Sequence, residues 1–195
     1  MKFTQIPTNT FKELQLNAGI LTSTFTPATG TVAADDMLGA TSGGVNFTAK
    51  PTFIDLGDGI DNCPKNMMEL KKLESWEAKI SGTFLTVNTA QAKSLLAAAD
   101  IGGSDTTKVT PRNDVALTDF DDIWWIGDYS DKNGATNGGY IAIHMMNALS
   151  TGGFQIQSGD KAKGQFAFEY TAHYSMDAPD TVPFELYIKA GTEEA

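Results

Sequence analysis

Residues 76–99 read WEAKISGTFLTVNTAQAKSLLAAA, and this stretch decides the fold class. In its first part apolar side chains alternate with polar ones, which is the period of a half-buried β-strand. The core-facing set of this strand would be Trp76, Ala78, Ile80, Gly82 and Phe84. The second part has a helical period and begins at Asn88, a residue type that caps helix N-termini well. The stretch therefore predicts a long strand followed by an α-helix over residues 88–99.

The rest of the chain has strand patterns separated by glycine-rich turns. Residues 165–174 alternate aromatic and polar side chains, which predicts a second amphipathic strand. The sequence IWWI at 123–126 is apolar throughout, so Trp124 and Trp125 must point to opposite faces of their strand. We expect this strand to be buried on both faces, with one tryptophan against a second apolar surface. Residues 140–146 would form its return strand.

The chain organisation predicts one mainly β domain over 1–195, with one flanking α-helix, an N-terminal arm and long loops. Residues 1–42 form an arm or lead-in with a strand-like piece at 19–25. Gly43 and Gly44 open a strand that Pro51 is expected to break. The segments 57–75 and 128–139 are predicted to be long loops or hairpin tips. A short helix near 66–73 is possible in the first of them.

Charge and composition exclude several classes of protein. The chain has 24 acidic and 14 basic residues and a net charge of −10, which argues against a reader of DNA or RNA. Arg112 is the sole arginine and Cys63 the sole cysteine, so a disulfide framework and a multi-cysteine metal site are excluded. No apolar run has the length of a membrane span, and the N-terminus lacks a signal-peptide pattern. We expect a soluble cytosolic product.

No residue pattern points to catalysis. His144 and His173 belong to no metal-ligand spacing, and there is no nucleophile elbow or phosphate-binding loop. The acidic loops near residues 55–62 and 128–134 do not match the ligand positions of a calcium-binding loop. We predict no catalytic residue, no metal site and no cofactor. An acidic β-rich chain with arms fits a self-assembling structural subunit.

Three blocks of sequence carry a family resemblance. The first consists of LNAGIL at 16–21 and GGVNF at 43–47. The second consists of DLG at 55–57, DNCP at 61–64, SWE at 75–77 and SGTF at 81–84. The third consists of IWWIGDY at 123–129, STGGF at 150–154 and GQFAFEYTAHY at 164–174. In this order the blocks resemble the major tail proteins, or tail tube proteins, of bacteriophages with long non-contractile tails and of related prophages.

The resemblance implies a β-barrel or β-sandwich with one flanking helix and a structural function. Six subunits would form a ring whose sheets join around a lumen, and rings would stack into a tube around a tape-measure protein. The partners would be further copies of the chain, the tape-measure protein, and tail terminator and tip proteins. DNA would pass through without specific binding. The protein would be assembled in the host cytoplasm and reside in the virion tail, without membrane insertion.

The resemblance also implies roles for particular residues. We expect one polar strand face to line the lumen, with the candidates Glu77, Ser81, Thr83, Gln155, Gln157, Gln165, Glu169 and Thr171. Lys79 shares that face and fits only if it pairs with Glu77 or Glu169, because an unpaired lysine would hold DNA phosphates. The candidates for contacts between subunits or rings are Ile60, Met67, Leu70, Trp124, Trp125, Tyr129 and Asn133.

Two other functions fit the same sequence. A β-sandwich module that binds carbohydrate or a cell surface would have exposed aromatic residues in a concave site and would remain monomeric. Another tail ring protein, such as a terminator, would form single rings that do not extend.

Overall fold

The computed structural model describes residues 6–130 and 138–192, which form a mainly β fold with one α-helix. The strands are β1 Gln15–Thr22, β2 Thr41–Asp55, β3 Lys71–Phe84, β4 Ala99–Ile101, β5 Val109–Pro111, β6 Asp121–Tyr129, β7 Gly139–Ser150, β8 Phe166–Thr171 and β9 Phe184–Lys189. The helix α1 is Thr89–Leu95, and short 3-10 turns occupy Thr10–Lys12, Ala34–Asp36, Met68–Leu70 and Leu117–Asp119. The prediction of a mainly β chain with a flanking helix is confirmed.

One antiparallel sheet holds most of these strands, in the order β1-β6-β7-β8-β3-β2. Strand β7 changes partner along one of its edges. Its first half pairs with β9, from Tyr140 to Met145, and its last two residues, Leu149 and Ser150, pair with β8. The sheet therefore curls into a half-barrel. Strands β4 and β5 form a separate two-stranded ribbon.

The main core fills the inside of this curl. Strands β3 and β8 supply alternate apolar side chains, as their period-two patterns predict. Phe84 of β3 stacks on Phe168 of β8 with ring centroids 4.3 Å apart. Met145 of β7 and Leu95 of α1 are fully buried in the same cluster, so the helix closes one side of the curl.

The helix begins where predicted and ends earlier. The Gln91 backbone N–H donates to Asn88 Oδ1 at 2.8 Å, which confirms Asn88 as the N-cap. The prediction that the helix continues to residue 99 is wrong, because Ala97 adopts a positive φ of 63° and Ala99 begins β4. Ala99 is nevertheless fully buried.

Strand β2 runs through Pro51, so the predicted break is wrong. Pro51 lies opposite Trp76 in the β2–β3 ladder, and the Trp76 N–H donates away from β2, to the Tyr174 hydroxyl at 2.9 Å. The missing N–H of Pro51 therefore faces the outer edge of β2, where a proline costs no ladder bond. Gly43 and Gly44 both have positive φ and form a bulge in this strand, a conformation that only glycine adopts readily.

The possible helix near 66–73 is absent. Residues Met68–Leu70 form a single 3-10 turn, and Asn66 has a positive φ of 62° that is incompatible with a helix start. The Asn66 N–H instead donates to Asp55 Oδ2 at 2.9 Å. Residues 71–75, predicted as loop, continue β3 and pair with β2.

The lead-in over residues 1–42 contributes more than an arm. Residues 19–22 of the strand-like piece at 19–25 belong to β1, which pairs with β6 and buries Leu21 in the core, whereas residues 23–25 lie beyond its end. Beyond β1 the chain crosses the outer face of the sheet, where the Phe25 ring packs edge-on against Trp124 at 5.5 Å. The second apolar surface that the tryptophan pair requires is therefore supplied by this chain itself.

The predicted hairpin between 123–126 and 140–146 is confirmed by the β6–β7 ladder. Of its predicted tip at 128–139, residues 131–137 lie outside the described residues. Gln155 and Gln157, predicted to lie on a strand face, belong to no strand of the structure, and Gln157 makes an isolated bridge with Gln165.

Candidate functional site

The outer surface of strands β2, β3 and β8 forms one continuous polar face. Because β3 and β8 bury every second side chain, the intervening side chains must point to the other side of the sheet. Ladder partners connect the strands, with Ser81 of β3 opposite both Asn46 of β2 and Glu169 of β8. We call this surface the polar face, formed by Asn46, Thr48, Lys50, Glu77, Lys79, Ser81, Thr83, Ala167, Glu169 and Thr171.

The five predicted lumen residues on these strands all lie on the polar face, namely Glu77, Ser81, Thr83, Glu169 and Thr171. Hydroxyl groups join neighbouring strands across it. The Thr151 hydroxyl donates to Glu169 Oε1 at 3.1 Å and lies 2.9 Å from Thr171 Oγ1. These hydrogen bonds fix the side chains of Glu169 and Thr171 on the polar face.

The three predicted glutamines extend the polar face beyond the start of β8. Gln157 and Gln165 exchange two backbone hydrogen bonds of 2.8 and 2.9 Å, and the Gln155 amide donates to the Gly152 carbonyl at 2.9 Å. Together with Thr83 they line a shallow pocket of about 140 Å³. The structure therefore brings all eight predicted residues together on one side of the sheet.

The charges on the polar face are balanced in sign. The Lys79 ammonium lies 2.7 Å from Glu77 Oε1, which meets the condition set for Lys79 on this face. The hydrogen bond from Lys79 lowers the pKa of Glu77, and the same bond raises the pKa of Lys79. Glu169 and Lys50 are the other charged members. The face as defined thus has two carboxylates and two ammonium groups.

Sequence reasoning missed the contribution of β2 to the polar face. Its members Asn46, Thr48 and Lys50 are exposed, while Val45 and Phe47 pack against the core. The signal was present, because these residues alternate as those of β3 do. The expected break at Pro51 hid the length of the strand.

The distal part of the β2–β3 hairpin projects from the body of the protein. We call residues 53–74 the hairpin arm, and almost all of them are exposed. Of the predicted contact residues here, Ile60 and Met67 are exposed and Leu70 is half-buried. The arm has its own internal order. The Asp55 carboxylate accepts the N–H groups of Asn66 and Gly57, and these bonds lower its pKa.

The two predicted tryptophan contacts require correction. Trp124 and Trp125 are only 8 % and 9 % exposed within one copy of the chain, so they offer little surface to a neighbour. Trp125 lies in the main core and its indole N–H donates to the Ala18 carbonyl at 3.0 Å. Tyr129 is half-buried at the end of β6, and Asn133 lies outside the described residues.

The histidines have structural partners. His144 stacks on Trp124 with ring centroids 3.9 Å apart, and its Nε2 lies 3.0 Å from Asp122 Oδ2. His173 Nδ1 lies 3.2 Å from the Asn147 carbonyl oxygen. Across residues 6–130 and 138–192, no group of three or more His, Cys, Asp or Glu side chains is arranged to hold a metal ion. In the same residues no helix has the length and apolar character of a membrane span.

No protein-family model matches the chain. A search of curated proteins likewise finds no match.

Proposed function

We propose that this chain is a tail tube protein, which assembles into rings that stack into a conduit for a phage genome. The observation that carries the proposal is the polar face. It spans three strands, is mostly polar, and carries two carboxylates and two ammonium groups, of which Lys79 is paired with Glu77. A surface past which DNA must slide should offer no ladder of unpaired cations, because each one would hold a phosphate.

The sheet edges support assembly from identical subunits. Strand β2 ends the sheet order, and among the described residues its outer edge pairs with no strand. An exposed strand edge presents unpaired N–H and C=O groups that a strand from another copy can satisfy. Joining β2 to a neighbour would continue the polar face from one copy to the next around a ring.

The hairpin arm supports contacts beyond a single ring. It exposes large apolar side chains along its length, namely Phe53, Ile54, Leu56, Ile60, Met67, Met68 and Leu73. Exposed apolar surface of this extent is typical of a protein–protein contact. The arm is therefore our candidate for the contact between stacked rings.

Electron microscopy tests the proposal directly. The purified protein would be imaged by negative stain over a concentration series, with light scattering in parallel. Hollow rings or tubes of uniform diameter are expected. A protein that remains monomeric over the whole series would overturn the proposal and favour the carbohydrate- or cell-surface-binding module. Rings that never extend would favour a terminator-like ring protein.

Two further observations sharpen this test. A reconstruction of the tubes should have Glu77, Ser81 and Glu169 facing the lumen, and a ring with these side chains outside would contradict the lumen assignment. Replacing residues 57–69 by Asn-Gly should leave a folded protein, because the Leu56 N–H already donates to the Leu70 carbonyl and a two-residue turn can connect this hydrogen-bonded pair. This variant should not form tubes.

A further inference from the structure

The polar face has a second border, beside β8. Residues 151–157 follow the end of β7 and belong to no strand, yet backbone hydrogen bonds join both ends of this segment to β8 or to the residue before it. The Gly152 N–H donates to the Glu169 carbonyl at 3.2 Å, and Gln157 exchanges two backbone hydrogen bonds with Gln165. We call residues 151–157 the border segment.

The border segment lies alongside β8 in a nearly extended form. The carbonyls of Gln165 and Glu169, to which it is bonded, are four residues apart, which is about 13 Å at the rise of a strand. An α-helical connection from Gly152 to Gln157 would span only about 8 Å. The border segment is therefore a fourth strand-like element of the polar face, after β2, β3 and β8.

The outer edge of the border segment is open. The bonds of Gln157 turn its N–H and C=O toward β8, so those of Ile156 point to the other side. In the part of the chain that the structure describes, no strand pairs with this outer edge. The side chain of Ile156 is 61 % exposed there, and that of Phe154 is 38 % exposed. Unpaired backbone groups and exposed apolar side chains are the features that a further strand covers.

The directions of the strands select a partner for this edge. Strands β2, β3 and β8 and the border segment are successive antiparallel neighbours, so β2 and the border segment run in opposite directions. All copies in a ring with rotational symmetry have the same orientation relative to its axis. The β2 strand of one copy, placed beside the border segment of the next, therefore forms an antiparallel pair.

The other open edges suit β2 less well. Strand β9 runs in the same direction as β2, because both are an odd number of antiparallel steps from β7. Strand β1 runs oppositely, but it is bulged between Leu16 and Ile20, where Asn17 and Gly19 have positive φ. Bulges protect an edge against pairing. Neither β1 nor β9 borders the polar face, so a joint through them would interrupt it.

We propose that the outer edge of β2 in one copy pairs antiparallel with the border segment of the next copy in a ring. This inference rests on the proposed function and names the edge that receives β2. The exposed Ile156 is covered by the neighbouring strand. Gln155 and Gln157 then continue the row of polar side chains into Asn46, Thr48 and Lys50 of the neighbour.

Disulfide crosslinking tests this pairing in the full-length protein. In a Cys63→Ser background, Gln155→Cys is combined in turn with Asn46→Cys, Thr48→Cys or Lys50→Cys, which scans the exposed polar side of β2. The assembled protein is then oxidised. For at least one pair we expect a ladder of covalent multimers that ends at the number of copies in one ring, because the last disulfide closes the ring.

A cysteine one strand farther from the joint gives the matched control. Ser81 lies on the polar face of β3, so the proposed joint places it two strand spacings, about 10 Å, from the neighbour's border segment. A disulfide needs Cα atoms within about 7 Å. Gln155→Cys with Ser81→Cys should therefore crosslink at least tenfold more slowly. Each single-cysteine variant should stop at the dimer.

A backbone substitution separates the receiving edge from the fold. Ile156→Pro removes an outward N–H and no bond to β8, so the chain should fold and fail to form rings. Ile156→Val keeps the N–H and should form rings. Normal rings from folded Ile156→Pro, or rings in which no β2 cysteine crosslinks faster than the control, would overturn the border segment and leave the proposed function standing. A wild-type protein that forms neither rings nor tubes would overturn both.

Discussion

Adjacent residues in this chain have separate structural roles. Trp125 lies in the main core, whereas Trp124 packs on the outer face of the sheet among Phe25, His144 and Tyr187. The alternation of a strand requires this separation. The identity of the surface that covers Trp124 depends on the path of residues 23–32, which no local pattern predicts.

Truncating Trp124 should therefore destabilise the single copy rather than only the assembly. We expect Trp124→Ala to lower the free energy of unfolding of the monomer by about 3 kcal/mol, since it removes a buried aromatic side chain. Urea unfolding measures this free energy, at a protein concentration below that at which the protein assembles. An unchanged monomer stability with lost assembly would instead make Trp124 a subunit contact.

Asp119 makes the stability of the protein depend on acidity. The hydrogen bond from the Ala116 backbone N–H lowers the pKa of this carboxyl below its ordinary value, and Arg112 lowers it further by a smaller amount. Because the folded pKa is depressed, the unfolded chain takes up the proton first as pH falls. The contribution of Asp119 is thus present above the pKa of the unfolded state, near pH 4, and is lost below it.

The melting temperature of the wild type should accordingly fall more between pH 6 and pH 3 than that of Asp119→Asn. The asparagine side chain of this variant has no proton to gain over this range. Three other carboxyl groups also have lowered pKa values, namely Asp55, Glu77 and Asp105. They add to the fall of the melting temperature with pH equally in both proteins. If the melting temperatures of the two proteins fall equally over this pH range, Asp119 contributes nothing to the pH dependence of stability.

Among the elements, the helix depends on its cap and on the core beneath it. Helix α1 has only seven residues, so it is too short to be stable alone. Leu95 fixes it to the core and Asn88 satisfies a backbone N–H at its start. Its early end at Leu95 follows from tertiary structure, because the chain must turn there to place Ala99 in β4.

Replacing the capping residue Asn88 should lower the stability of the protein. We expect Asn88→Ala to reduce the free energy of unfolding by about 1 kcal/mol, whereas Asn88→Ser keeps a capping oxygen and should change it little. Urea unfolding with an unchanged m-value is the measurement. Equal stability of the alanine and serine variants would refute the capping role.

For the whole molecule, the outer edge of β2 is the edge through which we propose that copies join their sheets. The ladder pattern turns the N–H of Ala49 toward this edge, which the ring nitrogen of Pro51, two residues further along, also faces. In the proposed ring, replacing an outward donor would remove a bond to a neighbouring copy, and it removes none to β3. The same ladder turns the N–H of Thr48 inward, toward β3.

We therefore expect Ala49→Pro to remain folded and to lose ring formation. Ala49→Thr, which keeps the N–H, should assemble as the wild type does. Thr48→Pro should unfold the hairpin, because it removes a bond to β3. Circular dichroism and negative-stain imaging of the three variants give the comparison. Normal rings from folded Ala49→Pro would exclude this edge from the ring contact.

The sequence by itself determined the features that depend on local period. These are the alternation of β3 and β8, the opposite orientation of Trp124 and Trp125, the Asn88 cap and the shared side of the five polar residues on β3 and β8. Each follows from the geometry of a strand or of a helix start, which neighbouring residues impose on one another. Hence the mainly β class and most of the polar face could be predicted from the amino-acid pattern.

Only the tertiary structure decided the features that depend on distant partners. Pro51 continues β2 because that strand lies at the edge of the sheet, where a missing N–H breaks no bond. The packing of Phe25 on Trp124 and the hydrogen bond from the Trp76 N–H to the Tyr174 hydroxyl each bring together segments far apart in sequence. Local period contains no information on such encounters, because they are selected by the burial of surfaces that meet only in the folded chain.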